Sequence, residues 1–385
     1  MFPQRSHSHS YFQNFLAMNF KLLVREALGV FFHIKNDDLE NIEVTKTDAG
    51  MNNWVFYAVI PAATCSAAVG QFVVRLYNNG SNLIQIRYEH YILKELLLHE
   101  SNLGFQTPRS VTRSNSLPEE DNLFCKLASG MIASVFHWIP GCSPAGNLKF
   151  IEGMGAAAGK LSISLRQIYD VSNNSIIQSS PPFYHDIWRV HHMITKKRFY
   201  SFIDSCVELE PCRQWLDQLL LDLTSMEDFV RSIQTSHDLP MSFVHGDLAT
   251  DNFLVDPLSG EVTGIIDFEF VGVDWRVMEL ATCTSNFPEQ SDPFVYFSAF
   301  FKGFRMASNS AYTFNKSEVL LFPQFIMLRI LSNVVYFVGR AISNELPLTC
   351  LTKRLPGYYR RRMWLHENAS ALIELANVSD EYFVV

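Results

Sequence analysis

The strongest constraint on the fold of this chain is a change in its hydrophobic pattern near residue 140. Before that point, short runs of β-branched and aromatic residues alternate with turns, which predicts strands at 42–47, 54–60, 71–77, 123–126 and 131–138. Helical patterns precede and interrupt these strands, at 20–32 and 84–98. After the turn Ile139-Pro140-Gly141, helical patterns dominate, and one of them predicts a long helix at 317–344. The sequence therefore predicts an α+β fold with a small β-rich lobe and a large, mainly helical lobe.

The same change of pattern sets the expected domain boundaries. We expect a disordered leader at 1–18, an N-lobe at 19–138 and a helical C-lobe at 139–385, which contains a strand and loop section at 242–270. Residues 1–25 contain basic but no acidic residues, so an organelle transit peptide is the alternative to a leader. Seven scattered cysteines without a C-x-x-C pair indicate reduced thiols, and the expected location is cytoplasmic.

Composition restricts the partners of the chain. With 31 Lys+Arg against 39 Asp+Glu, the net charge is −8, so we expect no nucleic-acid partner. The most apolar stretch, Val319 to Val338, is interrupted by Pro323, Arg329 and Asn333. This favours a buried helix over stable membrane insertion. A small molecule or a protein is the expected partner, and the sequence leaves the oligomeric state open.

The section at 242–270 carries the candidate chemistry. It reads Ser242-Phe-Val-His-Gly-Asp-Leu-Ala-Thr-Asp-Asn-Phe-Leu-Val255, followed by Gly264-Ile-Ile-Asp-Phe-Glu-Phe270. Three apolar strands here, predicted at 243–244, 253–255 and 262–266, deliver Asp247, Asn252 and Asp267 at their ends. Oxygen ligands gathered in this way suit Mg²⁺ bound between protein and phosphates, so we interpret Asp247 as a base and the other two as metal ligands. The structural alternative is that these residues cap turns and close a hairpin.

The segments His245-Gly246-Asp247, Asn252 and Ile266-Asp267-Phe268-Glu269 resemble the signatures of the aminoglycoside phosphotransferase and choline kinase superfamily. These are small-molecule kinases, so the resemblance implies a bilobal protein-kinase-like fold, with ATP and Mg²⁺ as cofactors. The continuation through Asp274-Trp275-Arg276 is similar to choline and ethanolamine kinases in particular. Glu269 is then a further metal or substrate contact. The resemblance extends over most of residues 40 to 290.

Three features carry the resemblance in the β-rich half. The segment Gly50-Met51-Asn52-Asn53 lies between two predicted strands like the family's phosphate loop, although a hairpin glycine is the alternative at Gly50. Arg75 replaces the usual Lys of the third strand, and Glu89 on the next helix would hold it over the α and β phosphates. Alone, Arg75 would be read as a solvent-facing strand residue. The segment Val135-Phe136-His137-Trp138 is the connector between the lobes. Adenine would contact backbone groups of this connector, in a cleft between the lobes.

Histidines outside these signatures receive a structural interpretation. We expect His245 to brace the catalytic loop rather than act as a base. His185, His191 and His192 fall on a helix predicted at 185–202, but no carboxylate or Cys spacing accompanies them, so we expect no metal there.

The predicted activity is transfer of the γ-phosphoryl group of ATP to a hydroxyl of a small molecule. Only seven residues separate Asp267 from the helix expected near Trp275, too few for the activation segment of a protein kinase. The acidic bias, Glu269 and Arg276 lean toward an amino alcohol such as choline, ethanolamine or homoserine, or an aminoglycoside, and a sugar stays open. The alternative is a catalytically inactive nucleotide-binding or scaffolding relative, although Asp247, Asn252 and Asp267 are all kept.

Overall fold

The structure is a computed structural model. It describes residues 7–47, 52–64, 69–78, 83–113, 121–178, 180, 184, 186–236, 239–308 and 313–377. The chain divides into two compact units. The N-terminal unit contains residues 1–98 and 107–140, and the C-terminal unit contains residues 99–106 and 141–385. The division at 140 falls in the turn where the hydrophobic pattern changes.

The N-terminal unit is built on a five-stranded antiparallel sheet in the order β1-β2-β3-β5-β4. Its strands are β1 Glu43–Lys46, β2 Trp54–Ile60, β3 Gly70–Tyr77, β4 Cys125–Lys126 and β5 Ile132–His137. Its helices are α1 His7–Phe32, α2 Asn36–Leu39 and α3 Leu83–Leu97. Alternate side chains of the sheet pack with one face of α1 in a single apolar core that includes Val24, Leu28, Phe56, Val74 and Val135.

Helix α1 is longer than the sequence pattern indicated. The disordered leader predicted for 1–18 differs from the structure over 7–18, where the backbone is helical. No Pro or Gly occurs between residues 7 and 28, so nothing in the sequence stops the helix from extending toward the N-terminus. Residues 1–6 lie outside the described residues.

The C-terminal unit is mainly helical. Its helices are α4 Glu100–Leu103, α5 Leu148–Val171, α6 Asn174–Gln178, α7 Lys196–Ser205, α8 Arg213–Ser236, α9 Val277–Thr284, α10 Pro293–Ser308, α11 Lys316–Leu320, α12 Phe322–Ile342, α13 Thr349–Thr352 and α14 Leu355–Asn377. Helices α5 and α10 pack at very close range, because a Cβ atom at Gly155 would collide with the backbone carbonyl of Phe300. The small residues of α5 therefore permit this close contact with α10.

Two predicted helices differ from the observed ones. The helix expected at 185–202 is replaced by a short 3₁₀ turn, Ile187–Arg189, and by α7, which begins only after Thr195 caps the backbone N–H of Arg198. The helix expected at 317–344 is broken at Leu321 into α11 and α12. Pro323 explains the break, since a proline is favourable in a first turn and unfavourable in a helix interior.

Helix α12 is the core helix of the C-terminal unit. Among the described residues it is the one helix long and apolar enough to cross a membrane by length and composition. However, 67% of its most apolar window is buried inside the protein, as a core helix would be. Arg329 and Arg340 are also buried on it, so α12 brings charged groups into the interior.

Two short antiparallel ribbons interrupt the helices. Strand β6 Met241–Val244 pairs with β9 Gly272–Trp275, and β7 Phe253–Val255 pairs with β8 Val262–Ile265. The sequence predicted β6, β7 and β8 but not β9. The loop after β6 and the turn after β8 lie next to each other, because the His245 side chain hydrogen-bonds the backbone carbonyl of Ile266 and the Ile266 N–H donates to the backbone carbonyl of Asn252.

Candidate active site

The loop after β6 is shaped by a glycine. Gly246 has φ +80°, and a Cβ atom there would collide with the carbonyl oxygen of Phe270. His245 is fully buried, donates from Nε2 to the carbonyl oxygen of Ile266 at 3.0 Å, and accepts at Nδ1 from the Asp247 N–H at 3.3 Å. Both ring nitrogens are therefore engaged, and His245 braces the loop that presents Asp247.

A buried carboxyl from α9 holds the same loop. Glu279 Oε2 accepts the backbone N–H of His245 at 2.5 Å, and the backbone N–H of Gly246 also favours the charged form of this carboxyl. Burial raises the pKa of Glu279 to about 8, and the charge of Asp247 adds to this against the opposing effect of the two N–H bonds. Oε1 has no hydrogen-bond partner among the described residues. At neutral pH the carboxyl is thus mostly protonated.

Asn252 and Asp267 meet beside Asp247. Asn252 Nδ2 donates to the backbone carbonyl of Asp247 at 2.6 Å. The backbone carbonyl of Asn252 accepts the Ile266 N–H at 2.9 Å. Asp267 follows directly, with φ +69° and ψ +60°, a left-handed conformation that is uncommon for a residue other than glycine and often marks a functional site. The structure therefore brings the three residues predicted from the sequence into one site.

The donor atoms at this site suit a divalent cation. Because Asn252 uses Nδ2 in the loop, its Oδ1 is the side-chain atom left for a ligand. The charge of Asp267 also raises the pKa of Asp247, an effect that a bound cation would relieve. Glu269 is buried in the 3₁₀ turn Phe268–Phe270 that follows. Hard oxygen donors of this kind fit Mg²⁺, and their role as ligands stays a prediction.

Asp247 is held by an arginine that sequence reasoning missed. Arg329 of α12, which is 9% exposed, donates from Nη2 to Asp247 Oδ1. Burial raises the pKa of Asp247 to about 6; Arg329 opposes this, whereas Asp267 and Asp251 add to it. The Asp247 side chain keeps 29% of its surface exposed, so a substrate can reach it. The only signal for Arg329 in the sequence was a charged residue inside the most apolar stretch.

Tyr184 is a second residue that the sequence did not indicate. Its hydroxyl donates to the carbonyl of Gly246, and its N–H donates to Asp274 Oδ2 at 2.9 Å. Its ring centre lies 4.9 Å from the Arg329 guanidinium carbon, a cation–π contact. Burial raises the pKa of Tyr184, which keeps the hydroxyl a donor. Tyr184 thus supports both the loop and the arginine that contacts it.

In the N-terminal unit, Arg75 and Glu89 form a buried ion pair. Arg75 Nη1 lies 2.6 Å from Glu89 Oε1, and both side chains are less than a tenth exposed. The Arg75 guanidinium also lies 5.5 Å from the ring centre of Phe136 on β5. The pair implied by the family resemblance is present, and its contact with phosphate stays a prediction.

Of the residues predicted for the phosphate loop, Asn52 and Asn53 lie directly before β2. Asn53 is buried and its Oδ1 accepts the Asn78 N–H at 3.1 Å, which ties the start of β2 to the end of β3. Asn52 is half-buried, and Gly50 lies outside the described residues. A nucleotide contact at Asn53 would therefore have to come from atoms other than its bonded Oδ1.

The connector is also partly engaged inside the N-terminal unit. The N–H groups of His137 and Trp138 donate to Arg109 and Gln71 carbonyls at 2.9 and 3.1 Å, and the Val135 carbonyl accepts from Val111 at 2.8 Å. Adenine contacts would therefore have to come from other backbone groups of this segment. This part of the prediction stays untested in its original form.

A histidine cluster lies apart from the phosphate chemistry. His191, His192 and Glu345 have potential ligand atoms within 4.8 Å of one another, whereas His185 lies outside the described residues. His191 Nδ1 accepts the Met193 N–H, so the proton is on Nε2, which faces Glu345 at 3.2 Å. Arg340 also pairs with Glu345. The structure thus places a carboxylate beside these histidines that their spacing in the sequence did not indicate, and the absence of a metal here stays a prediction.

A β-sheet unit with a buried Arg–Glu pair and a helical unit with a His-Gly-Asp loop, an Asn and a following Asp are together the features of a kinase-like phosphotransferase. The family model described as "Phosphotransferase enzyme family" matches residues 62–300. The chain belongs to this family, and it is a phosphotransferase enzyme. A comparison with curated proteins finds no match.

Solved structures share the fold at low sequence identity. An amicoumacin kinase, solved with AMP-PNP, Ca²⁺ and Ami, is 15% identical with a TM-score of 0.57, and the match covers 94% of this chain and 96% of that one. A microcompartment-associated aminopropanol kinase is 13% identical with a TM-score of 0.57, covering 92% and 98%. An ethanolamine kinase from Plasmodium vivax is 11% identical with a TM-score of 0.55, covering 93% and 91%. These similarities establish the kinase-like fold.

Proposed function

We propose that the protein transfers the γ-phosphoryl group of ATP to a hydroxyl group of a small molecule in the presence of Mg²⁺. The observation that carries the proposal is the environment of the Asp247 carboxylate. It is exposed enough to meet a substrate and lies beside the oxygen donors of Asn252 and Asp267. This combination supplies an acceptor for a proton and ligands for a cation at one place.

Asp247 has the properties of a base for an alcohol. The acceptor hydroxyl donates a hydrogen bond to its carboxylate, which aligns the oxygen with the γ-phosphorus. As the new O–P bond forms and the bond to the β-phosphate oxygen breaks, the hydroxyl proton passes to Asp247 and ADP leaves. A pKa of about 6 leaves most of the Asp247 carboxylate ionised at neutral pH, and a stronger base is not needed for a late proton transfer.

The remaining predicted residues act on the nucleotide phosphates. Asn252 and Asp267 would hold Mg²⁺, which when bound neutralises phosphate charge, and Glu269 is placed to add a contact. Arg75, fixed by Glu89, would donate to phosphate oxygens with its planar guanidinium. We infer a cytoplasmic enzyme, a proposal supported by the six free cysteines among the described residues.

The acceptor is proposed to be a small alcohol. The names of two fold relatives, the aminopropanol kinase and the ethanolamine kinase, point to amino alcohols as the acceptors of those proteins. They support the expectation, drawn from the sequence, of an amino alcohol or an aminoglycoside. Choline, ethanolamine, homoserine, an aminoglycoside and a sugar therefore form the first acceptor panel.

The test is ADP formation from ATP and Mg²⁺ with each acceptor, followed by isolation of the phosphorylated product. We expect one acceptor class to be phosphorylated and Asp247→Ala to abolish transfer. Glu261→Ala is a matched control, because Glu261 is an exposed carboxylate between β7 and β8. Transfer that survives Asp247→Ala would remove the assigned role of Asp247. Nucleotide binding without transfer to any acceptor would favour the inactive, nucleotide-binding alternative.

A further inference from the structure

The environment of Arg329 suggests more than a structural ion pair. The side chain enters from α12 and is fixed on three sides. Its Nη2 donates to Asp247 Oδ1, its Nη1 donates to Asn333 Oδ1 at 2.9 Å, and its guanidinium rests on the ring of Tyr184. An arginine held in this way has little freedom, so the carboxylate it contacts is also restricted.

The two carboxylate oxygens of Asp247 are not equivalent. Oδ1 is occupied by Arg329, whereas no described residue donates a hydrogen bond to Oδ2. The Asp247 side chain is 29% exposed, and Oδ2 is not a fully buried atom, so a substrate hydroxyl can reach this oxygen. The pair therefore leaves one defined oxygen free for a further hydrogen bond.

Two other arginine–carboxylate pairs of the C-terminal unit behave differently. Arg276 contacts both oxygens of Glu318, with Nε and Nη2 at 2.8 and 2.7 Å. Arg362 contacts both oxygens of Asp222 in the same way, at 2.8 and 3.3 Å. This two-point contact is the strong and common arrangement, and it engages both oxygens of the carboxylate. Only one oxygen of Asp247 is used by Arg329, although the Arg329 Nε has no partner among the described residues.

We propose that Arg329 is a positioning residue that anchors Oδ1 of Asp247 and thereby directs Oδ2 toward the acceptor hydroxyl. The inference rests on the proposed function, because it assigns the proton-accepting atom of that reaction. Asn333 and Tyr184 act one step further away, by holding the guanidinium in place.

The kinetic test compares Arg329→Gln and Arg329→Lys with Arg362→Gln in the full-length protein. Loss of the anchor should lower kcat on the order of 10- to 100-fold, because small misplacements of a reacting group have large effects on rate. The KM for ATP should stay within about twofold, since nucleotide contacts are assigned to other residues. Lys should restore part of the rate. Arg362→Gln removes a comparable ion pair far from Asp247 in the chain and should leave kcat unchanged.

A second variant tests whether the effect passes through the guanidinium. Asn333 touches Arg329 but is not seen to touch Asp247. Asn333→Ala should lower kcat in the parent protein and should have no further effect in Arg329→Gln, so that the two changes are not additive. Additive losses would show that the residues act separately and would overturn the proposal. A kcat that rises in Arg329→Gln would show that the pair restrains Asp247, which would also overturn it.

The position of Asp247 can be checked independently of turnover. In a crystal structure of Arg329→Gln we expect the Asp247 carboxylate to occupy a different rotamer or several rotamers. One unchanged rotamer would contradict the proposal even if kcat falls. If the parent protein phosphorylates no alcohol, the proposed function fails, whereas the rotamer comparison still decides whether Arg329 positions Asp247.

Discussion

The buried carboxyl of Glu279 allows a quantitative test of how the catalytic loop is supported. It is 2% exposed, accepts the N–H of His245 at Oε2, is influenced by the nearby N–H of Gly246, and has no described partner at Oε1. Burial disfavours the charged form, so the pKa rises from 4.5 to about 8 in the folded protein. The relevant perturbation is Glu279→Gln, which removes the titration and keeps an oxygen for both N–H groups.

The sign of the effect follows from the raised pKa. The folded protein holds the proton more tightly than the unfolded chain, so Glu279 contributes stability that is fully present below pH 4.5. This contribution is lost as the pH rises through about 8. The shift corresponds to roughly 5 kcal/mol as an upper limit, at about 1.4 kcal/mol for each pH unit. The Gln variant should therefore gain in free energy of unfolding relative to the parent as the pH increases between these values.

The assay is urea unfolding of both proteins at several pH values from 5 to 8.5, followed by tryptophan fluorescence. Glu152→Gln is the matched control, because Glu152 is a half-exposed carboxylate paired with Lys302 on the surface of the same unit. Its stability difference from the parent should vary little with pH. A difference between Glu279→Gln and the parent that stays constant across this range would refute the raised pKa.

Further predictions concern activity. The specificity constant kcat/KM should fall as the pH drops below about 6, because protonation removes the base form of Asp247. The measurement is a profile of kcat/KM against pH. Chelation of divalent cations, or Asp267→Asn, should abolish transfer, as measured by ADP formation. Arg75→Ala should raise the KM for ATP and lower the free energy of unfolding by about 3–5 kcal/mol, since it removes one member of a buried ion pair. Gly246→Ala should abolish activity through its collision with Phe270, whereas Gly130→Ala, which meets no neighbour, should keep it.

Each of these expectations has a contrary outcome. A pH profile flat to pH 5 would mean that Asp247 is not the titrating base. Full activity in the presence of a chelator would exclude the metal at Asn252 and Asp267. An unchanged KM for ATP in Arg75→Ala would separate the buried ion pair from phosphate binding. An active Gly246→Ala protein would show that the loop adapts without its left-handed turn.

The sequence predicts what depends on local pattern. Strands β2 and β7 were predicted residue for residue, because alternation and flanking turns define them. The helix predicted at 185–202 failed, since the periodicity of side chains does not show where a cap such as Thr195 starts a helix. The strand β9 was missed because its partner β6 lies about thirty residues earlier in the chain.

The site divides in the same way. Asp247, Asn252 and Asp267 all lie in one short section of the chain, residues 242–270, so the sequence alone identified them. Glu279, Tyr184 and Arg329 contact that loop from 34, 62 and 82 residues away in the chain. Pairings at such distances depend on the packing of the helices, which a single sequence does not specify. A charged residue in an apolar helix indicates that a partner exists, but it does not say which.

The position of Arg329 in the chain has an evolutionary consequence. The family model matches residues up to 300, and α12 begins after that point. The side chain that contacts Asp247 thus comes from outside the segment that the family model matches. If Arg329 positions Asp247 as proposed, substitutions in this helix would change the handling of the alcohol without changing Asn252 or Asp267. Selection for new acceptors would then leave its record in the C-terminal helices.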